Sequence, residues 1–126
     1  MNGFLLVGAG GAIGAMSRYG IGILIGRLWH SNIPVATLFI NIFGSLLMGV
    51  LIGLLAHYTP AWQGQARLFL AVGVLGGFTT FSAFSLDVIF LIERGQTVLA
   101  LAYVLMSVIL SICALFAGLL LVRGMA

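Results

Sequence analysis

Residues 76–85 read Gly76-Gly77-Phe78-Thr79-Thr80-Phe81-Ser82-Ala83-Phe84-Ser85, and the reading of this stretch decides the fold. Glycine and threonine are weak helix formers, and the mixture of serine and phenylalanine is odd for a simple core. The apolar runs on either side, 66–75 and 81–92, are each too short to span a bilayer at about 1.5 Å per helical residue. They are therefore expected to be two half-helices of one span, joined by unwound backbone around 76–80. Irregular backbone at membrane depth is tolerated only where protein or a cavity surrounds it. Freed carbonyls there suit a hard cation, and freed amides suit an anion.

Composition makes the solvent lipid. Hydrophobic residues are 63% of the 126-residue chain and charged residues 6%, against about a quarter charged in an ordinary soluble domain. The net charge of +3 comes from five scattered arginines, so there is no basic patch to follow a nucleic acid backbone. Cys113 stands alone in an apolar run and carries no disulfide argument. The opening Met1-Asn2-Gly3 has no positive n-region and the apolar stretch after it is too long for an h-region, so no cleavable signal is expected. Segments of about 20 apolar residues cross a membrane, and four are read here: 3–25, 33–56, 66–92 and 96–122. Trp29, Tyr58 and Trp62 fall in the breaks, where amphipathic rings favour the interface. The predicted fold is an all-α membrane protein of one domain, with four transmembrane helices and the third broken near its middle.

The arginines nearly tie across the membrane. Arg67 and Arg123 fall on the side of the termini, Arg27 and Arg94 on the other, and Arg18 lies within the first span nearer the Arg27 end. Orientation by basic loops needs a clear bias. The simplest consequence is dual topology, with inverted copies pairing as in transporters built of inverted repeats; the other reading is a tie broken by the N-terminal amine or by a partner. Gly10/Gly14, Gly22/Gly26, Gly49/Gly53 and Gly73/Gly77 have the spacing of close helix packing. The glycines of residues 7–14 (VGAGGAIG) only superficially suggest a dinucleotide turn, because Ile13 stands where the last glycine is needed and no strand precedes.

Polar residues recur at helical spacing inside two spans: Thr37, Asn41 and Ser45 on the second, and Tyr103, Ser107 and Ser111 on the fourth. Such stripes either glue helices together or line a polar track. None carries a fixed charge, and all offer N–H or O–H donors, which can replace part of an anion's hydration shell without trapping it. Phe81 and Phe84, three apart, share a helix face. Their role is either ordinary packing or the presentation of electropositive ring edges to an anion. His30 and His57 lie in different loops without a nucleophile or metal set, which argues against an enzyme.

The motif at 76–85, with Thr37–Ser45 upstream (TLFINIFGS) and Tyr103–Ser111 downstream (YVLMSVILS), resembles the Fluc/CrcB fluoride channels along the whole chain. The resemblance implies a dual-topology antiparallel homodimer in a bacterial inner (plasma) membrane. It also implies two fluoride pores and a structural sodium at the dimer centre, with no nucleic acid partner. Carried over by position, Gly76 and Thr79 match the sodium-holding carbonyls, and Phe81 and Phe84 match phenylalanines that contact fluoride. Asn41 matches the pore asparagine, with Thr37 a hydroxyl near it; Tyr103, Ser107 and Ser111 match the polar track. Arg18 matches the basic residue that makes the entrance vestibule electropositive, a role compatible with snorkelling. Two positions depart from the pattern: Ala83 replaces a threonine and so lacks its hydroxyl, and the shorter Asp87 replaces a glutamate. The rival reading is a small dual-topology, proton-coupled exporter of organic cations, which needs a titratable carboxylate deep in its core. The only acids are Asp87 and Glu93, late in the third span.

Overall fold

The computed structural model describes residues 2–58 and 60–125; Met1, Thr59 of the second break and Ala126 lie outside the described residues. Among the described residues every regular element is helical. Helix α1 is Gly3–Leu28 and α2 is Val35–Tyr58. Helix α3, residues 63–78, is built from Gln63–Ala66, a π-helical stretch Arg67–Leu75 and a last turn Gly76–Phe78. Helix α4 is Ser82–Glu93 and α5 is Thr97–Met125. Among the described residues, four helical stretches are long and apolar enough to cross a membrane, the third being Gln63–Glu93 with its bend.

Local chemistry sets the helix ends. The Asn2 side chain accepts from the Phe4 amide at 2.8 Å and caps α1, as a short polar side chain does for an otherwise orphaned amide. Helix α4 ends in a left-handed Gly95 (φ 79°). There the Gly95 amide bonds to Ile92 O at 3.0 Å and the Gln96 amide to Leu91 O at 2.9 Å. This paired closure suits glycine, which has no Cβ to clash at positive φ.

The interruption of the third span is shifted from the expected 76–80. Gly76–Phe78 is still helical, because the Gly76 amide finds the carbonyls of Ala71 and Gly73 and the Thr79 amide finds Leu75 O at 3.0 Å. The chain leaves the helix at Thr79 (φ −79°, ψ 160°) and resumes at Ser82. The first limb also begins earlier than position 66, at Gln63, and its π-winding is a feature that sequence pattern does not announce.

The main packing joins spans two apart in the chain. Helix α1 lies against α3, and α2 against α5, while α4 packs on α5. Both main pairs run parallel: Gly10 meets Phe69, Gly73 and Val74 while Gly14 meets Val74 and Phe78, and Gly49 meets Leu115 while Gly53 meets Val122. Lipid offers no hydrophobic drive between helices, so close backbone approach and dispersion must hold them. Three of the four glycine pairs do this within the chain. Gly22 and Gly26 meet nothing within 4 Å, so their small size is not used inside the chain. The outside is studded with exposed large apolar side chains, including Phe4, Leu24, Leu101, Ile112 and Leu121, as expected of a surface solvated by lipid or by another apolar face.

This packing makes a sharp contrast between glycines. A Cβ on Gly14 would collide with the backbone carbonyl of Val74, which cannot swing away as a side-chain tip can. Gly14→Ala is expected to lower stability by about 1–3 kcal/mol through overpacking. Gly8→Ala points into open space and should be neutral or slightly stabilising, since alanine is the better helix former. Thermal unfolding of the two variants in detergent checks this; equal midpoints would contradict the packing.

Candidate functional site around the helix break

A helix that stops leaves carbonyls without donors, and one that starts leaves amides without acceptors. Three side chains meet those demands. Asn41, about two turns into α2, lays its carboxamide against Thr80: Nδ2 donates to Thr80 O at 2.9 Å, and Oδ1 accepts from the Thr80 amide at 2.8 Å. Thr80 Oγ1 in turn accepts from the Ala83 amide at 3.1 Å, closing the amino end of α4, and lies 3.3 Å from Ser82 Oγ. Arg18 Nε donates to Gly77 O at 3.2 Å from α1. The Thr79 hydroxyl folds back onto Leu75 O at 3.0 Å.

These bonds decide which carbonyls are released. In an unbroken helix Gly76 O would take the Thr80 amide, and Thr79 O would take the Ala83 amide. Both amides are committed elsewhere, while Gly77 O is taken by Arg18. The break therefore strips Gly76 O and Thr79 O of their helical donors. Two neutral, hard backbone oxygens form a donor set that fits a hard cation such as the sodium expected from the resemblance.

A groove of about 410 Å³ opens beside the break. Asn41, Phe81, Phe84, Ser107 and Ser111 all line it, together with Ser45, Thr79 and Thr80. Ser107 is 6% exposed, and the Oγ atoms of both Ser107 and Ser111 are buried with no hydrogen-bond partner in the chain. A hydroxyl left unpaired costs free energy unless a ligand or water meets it. The two phenylalanines, alike in sequence, are unlike in place. Their ring centroids are 5.5 Å apart, yet Phe84 is 8% exposed and Phe81 is 77% exposed. Phe84 belongs to its own chain's core; Phe81 is presented outward.

Of the residues expected on the fluoride path and at its vestibule, three stand apart from this groove. Thr37 and Arg18 line a separate cavity of about 300 Å³, along with Tyr19, Thr80 and Ala83. Thr80 borders both spaces. Arg18 is only half-buried and is tied to the break by one nitrogen, so it does more than sit near a membrane entrance. Ala83 lines the same cavity and, lacking a hydroxyl, gives it no donor. Tyr103 is fully buried behind Phe84, with ring centroids 5.3 Å apart, and its hydroxyl donates to Asp87 Oδ2 at 3.1 Å. That contact engages the carboxylate of Asp87, the residue that departs from the pattern the resemblance implies.

Thr80 is the residue that sequence reasoning passed over. Its signal was present: a threonine just ahead of an apolar helical run is a helix-start signature. The Asn41–Thr80 and Tyr103–Asp87 pairings had no such signal, because each joins side chains from different helices.

The sequence matches known proteins along nearly its whole length. The family described as CrcB-like protein, Camphor Resistance (CrcB), matches residues 5–119. A protein of Hyphomonas neptunium named fluoride-specific ion channel FluC is 53% identical over 123 residues, covering 98% of this chain and 97% of that protein. Proteins of the same name from Rhizobium meliloti and Phenylobacterium zucineum are 51% identical over 125 residues and 54% over 123. They cover 99% and 98% of this chain, and 99% and 97% of their own lengths.

The buried Tyr103–Asp87 contact makes its own prediction. Tyr103→Phe removes the donor and leaves Asp87 Oδ2 without it, which should cost about 1–3 kcal/mol. Asp87→Asn keeps an acceptor for the hydroxyl and should cost less. Unfolding midpoints of both variants decide this, and a larger loss in Asp87→Asn would contradict it.

Proposed function

This chain belongs to the CrcB family, and on that premise we propose that it is a fluoride-selective channel, letting fluoride leave the cell passively through two pores of an antiparallel homodimer. The family's character is ion transport across a membrane, not catalysis. The observation that carries the reading to this chain is the pair of buried, unpartnered hydroxyls of Ser107 and Ser111 beside the groove at the break.

Fluoride is small and strongly hydrated, so a path must return most of that hydration without holding the ion hard. Ser107 and Ser111 supply O–H donors, and Asn41 retains one N–H after pairing with Thr80. Phe81 and Phe84 add ring edges, whose positive rim favours an anion. No fixed positive charge lines the groove to trap the ion. Arg18 lies in the neighbouring cavity with Thr37. Its Nε is spent on Gly77, but its terminal nitrogens remain to draw anions toward the break.

Three features support the dimer. The arginines tie across the membrane, Phe81 is largely uncovered, and the groove is open on the chain's surface. A second, inverted copy would bring the two breaks together at a two-fold axis, with each chain offering the same groups. Gly76 O and Thr79 O of each chain would then hold sodium at the centre. Bound sodium supplies positive charge that ties the two interrupted helices together. The site of action is the bacterial inner membrane.

The exporter reading is disfavoured by where the carboxylate points. Asp87 lines a separate pocket of about 170 Å³ with Ser31, Asn32 and Arg94, and it does not line the groove.

Purified protein in liposomes loaded with fluoride or chloride tests the proposal: fluoride should be released and chloride retained. Equal release, or none, would overturn it. Asn41→Asp should abolish fluoride flux for two reasons. A carboxylate beside the path repels the anion, and it offers Thr80 O an acceptor where a donor is required. Undiminished flux from a folded variant would remove Asn41 from the mechanism.

A further inference from the structure

We infer that Asn41 and Thr80 are positioning residues for the cation ligands, so that one amide side chain couples the anion groove to the sodium site. The inference rests on the proposed sodium role of Gly76 and Thr79 and deepens it. Neither residue is argued to touch the cation.

The argument is one of hydrogen-bond supply. A backbone carbonyl inside a helix has its lone pair directed at the amide four residues on, and such an oxygen is a poor metal ligand. Gly76 O is available only if the Thr80 amide goes elsewhere, and it goes to Asn41 Oδ1 at 2.8 Å. Thr79 O is available only if the Ala83 amide goes elsewhere, and it goes to Thr80 Oγ1 at 3.1 Å. The same carboxamide that takes the Thr80 amide gives a proton to Thr80 O at 2.9 Å. This two-point contact holds Thr80 outside the helix and keeps its hydroxyl at the start of α4. Without the clamp, the cheapest repair for the stranded groups is to wind residues 79–81 back into helix, which consumes both carbonyls. Of the two carbonyls between them, Gly77 O is withheld by Arg18, so a side chain also decides which oxygens of this turn stay free. Asn41 also lines the groove with Ser107 and Ser111. A single residue therefore serves both ions.

The test reads sodium rather than flux. The unfolding midpoint of the purified full chain in detergent is titrated with sodium against N-methyl-D-glucamine at constant ionic strength. A ligand that binds only the folded state raises the midpoint saturably. Asn41→Ala and Thr80→Val are expected to raise the half-saturating sodium by about tenfold, the scale of one hydrogen bond. Thr80→Ser, which keeps the hydroxyl, should titrate close to the parent. Ser111→Ala, a groove residue outside the clamp, should lower fluoride flux and leave the sodium titration unmoved. If Asn41→Ala does not fold, the valine and serine variants of Thr80 decide the matter between them. Parent-like half-saturation in Thr80→Val, or an equal shift in Thr80→Ser, would overturn the inference and leave the sodium reading standing. A parent protein with no sodium response would remove the sodium reading and this inference together, while the liposome result stands or falls separately.

Discussion

The structure depends on a backbone unit being held out of its helix in the middle of a membrane span. Thr80 has lost both helical partners, and in hydrocarbon an unmet amide or carbonyl costs several kcal/mol. Asn41 meets both demands at 2.8 and 2.9 Å. Few side chains can do this. A carboxylate has no donor, a hydroxyl cannot reach both groups at once, and glutamine carries its amide one bond further out. The neighbouring bonds follow from the same accounting, with Thr80 Oγ1 restarting the helix and Arg18 holding Gly77 O. The unit at Thr80 is thus satisfied by its own network, while Gly76 O and Thr79 O are the groups that network leaves without helical donors.

Close packing brings those partners within reach. Arg18 lies four residues beyond Gly14 on α1, and Gly14 sits directly over the Val74 and Phe78 backbone. A wider separation of α1 from α3 would carry the guanidinium away from the break. Gly44, one turn beyond Asn41 on α2, faces the Thr79 methyl and the Phe78 ring, so a side chain there would push α2 off the same turn. The glycines and the polar clamp are one device: the small residues set the distance, and the amide uses it.

Much of this was legible in the chain itself. Two apolar runs too short to cross alone required an interruption, and the composition required lipid. The position of the interruption was not legible to the residue, because glycine propensity pointed at 76–80 while the deciding side chain, Asn41, lies 39 positions away from Thr80. The π-winding of Arg67–Leu75 was hidden for a related reason, since it accompanies the fit of Gly10 and Gly14 against Phe69 and Val74 rather than any local pattern. Helical spacing placed Phe81 and Phe84 on one face but could not say that one is buried and the other exposed. Spacing likewise put Thr37 on a stripe with Asn41 and Ser45, whereas the bend at 79–81 divides that stripe between two cavities.

A chain that conducts an anion has reason to keep its few carboxylates out of the path, and the arrangement around Tyr103 shows how this is achieved. Asp87 is on α4, three residues beyond Phe84, and its charge would act strongly across a short distance of low dielectric. Tyr103 fills the space between, fully buried against the Phe84 ring and donating its hydroxyl to the carboxylate. The carboxylate instead faces a small pocket shared with Arg94, Asn32 and Ser31. One turn further along α5, Ser107 lines the groove with its hydroxyl free of any partner in the chain. Adjacent turns of one helix thus do opposite things, the first occupying an acid and the second leaving a donor available. That separation is what an uncharged, donor-lined route requires of a neighbouring aspartate.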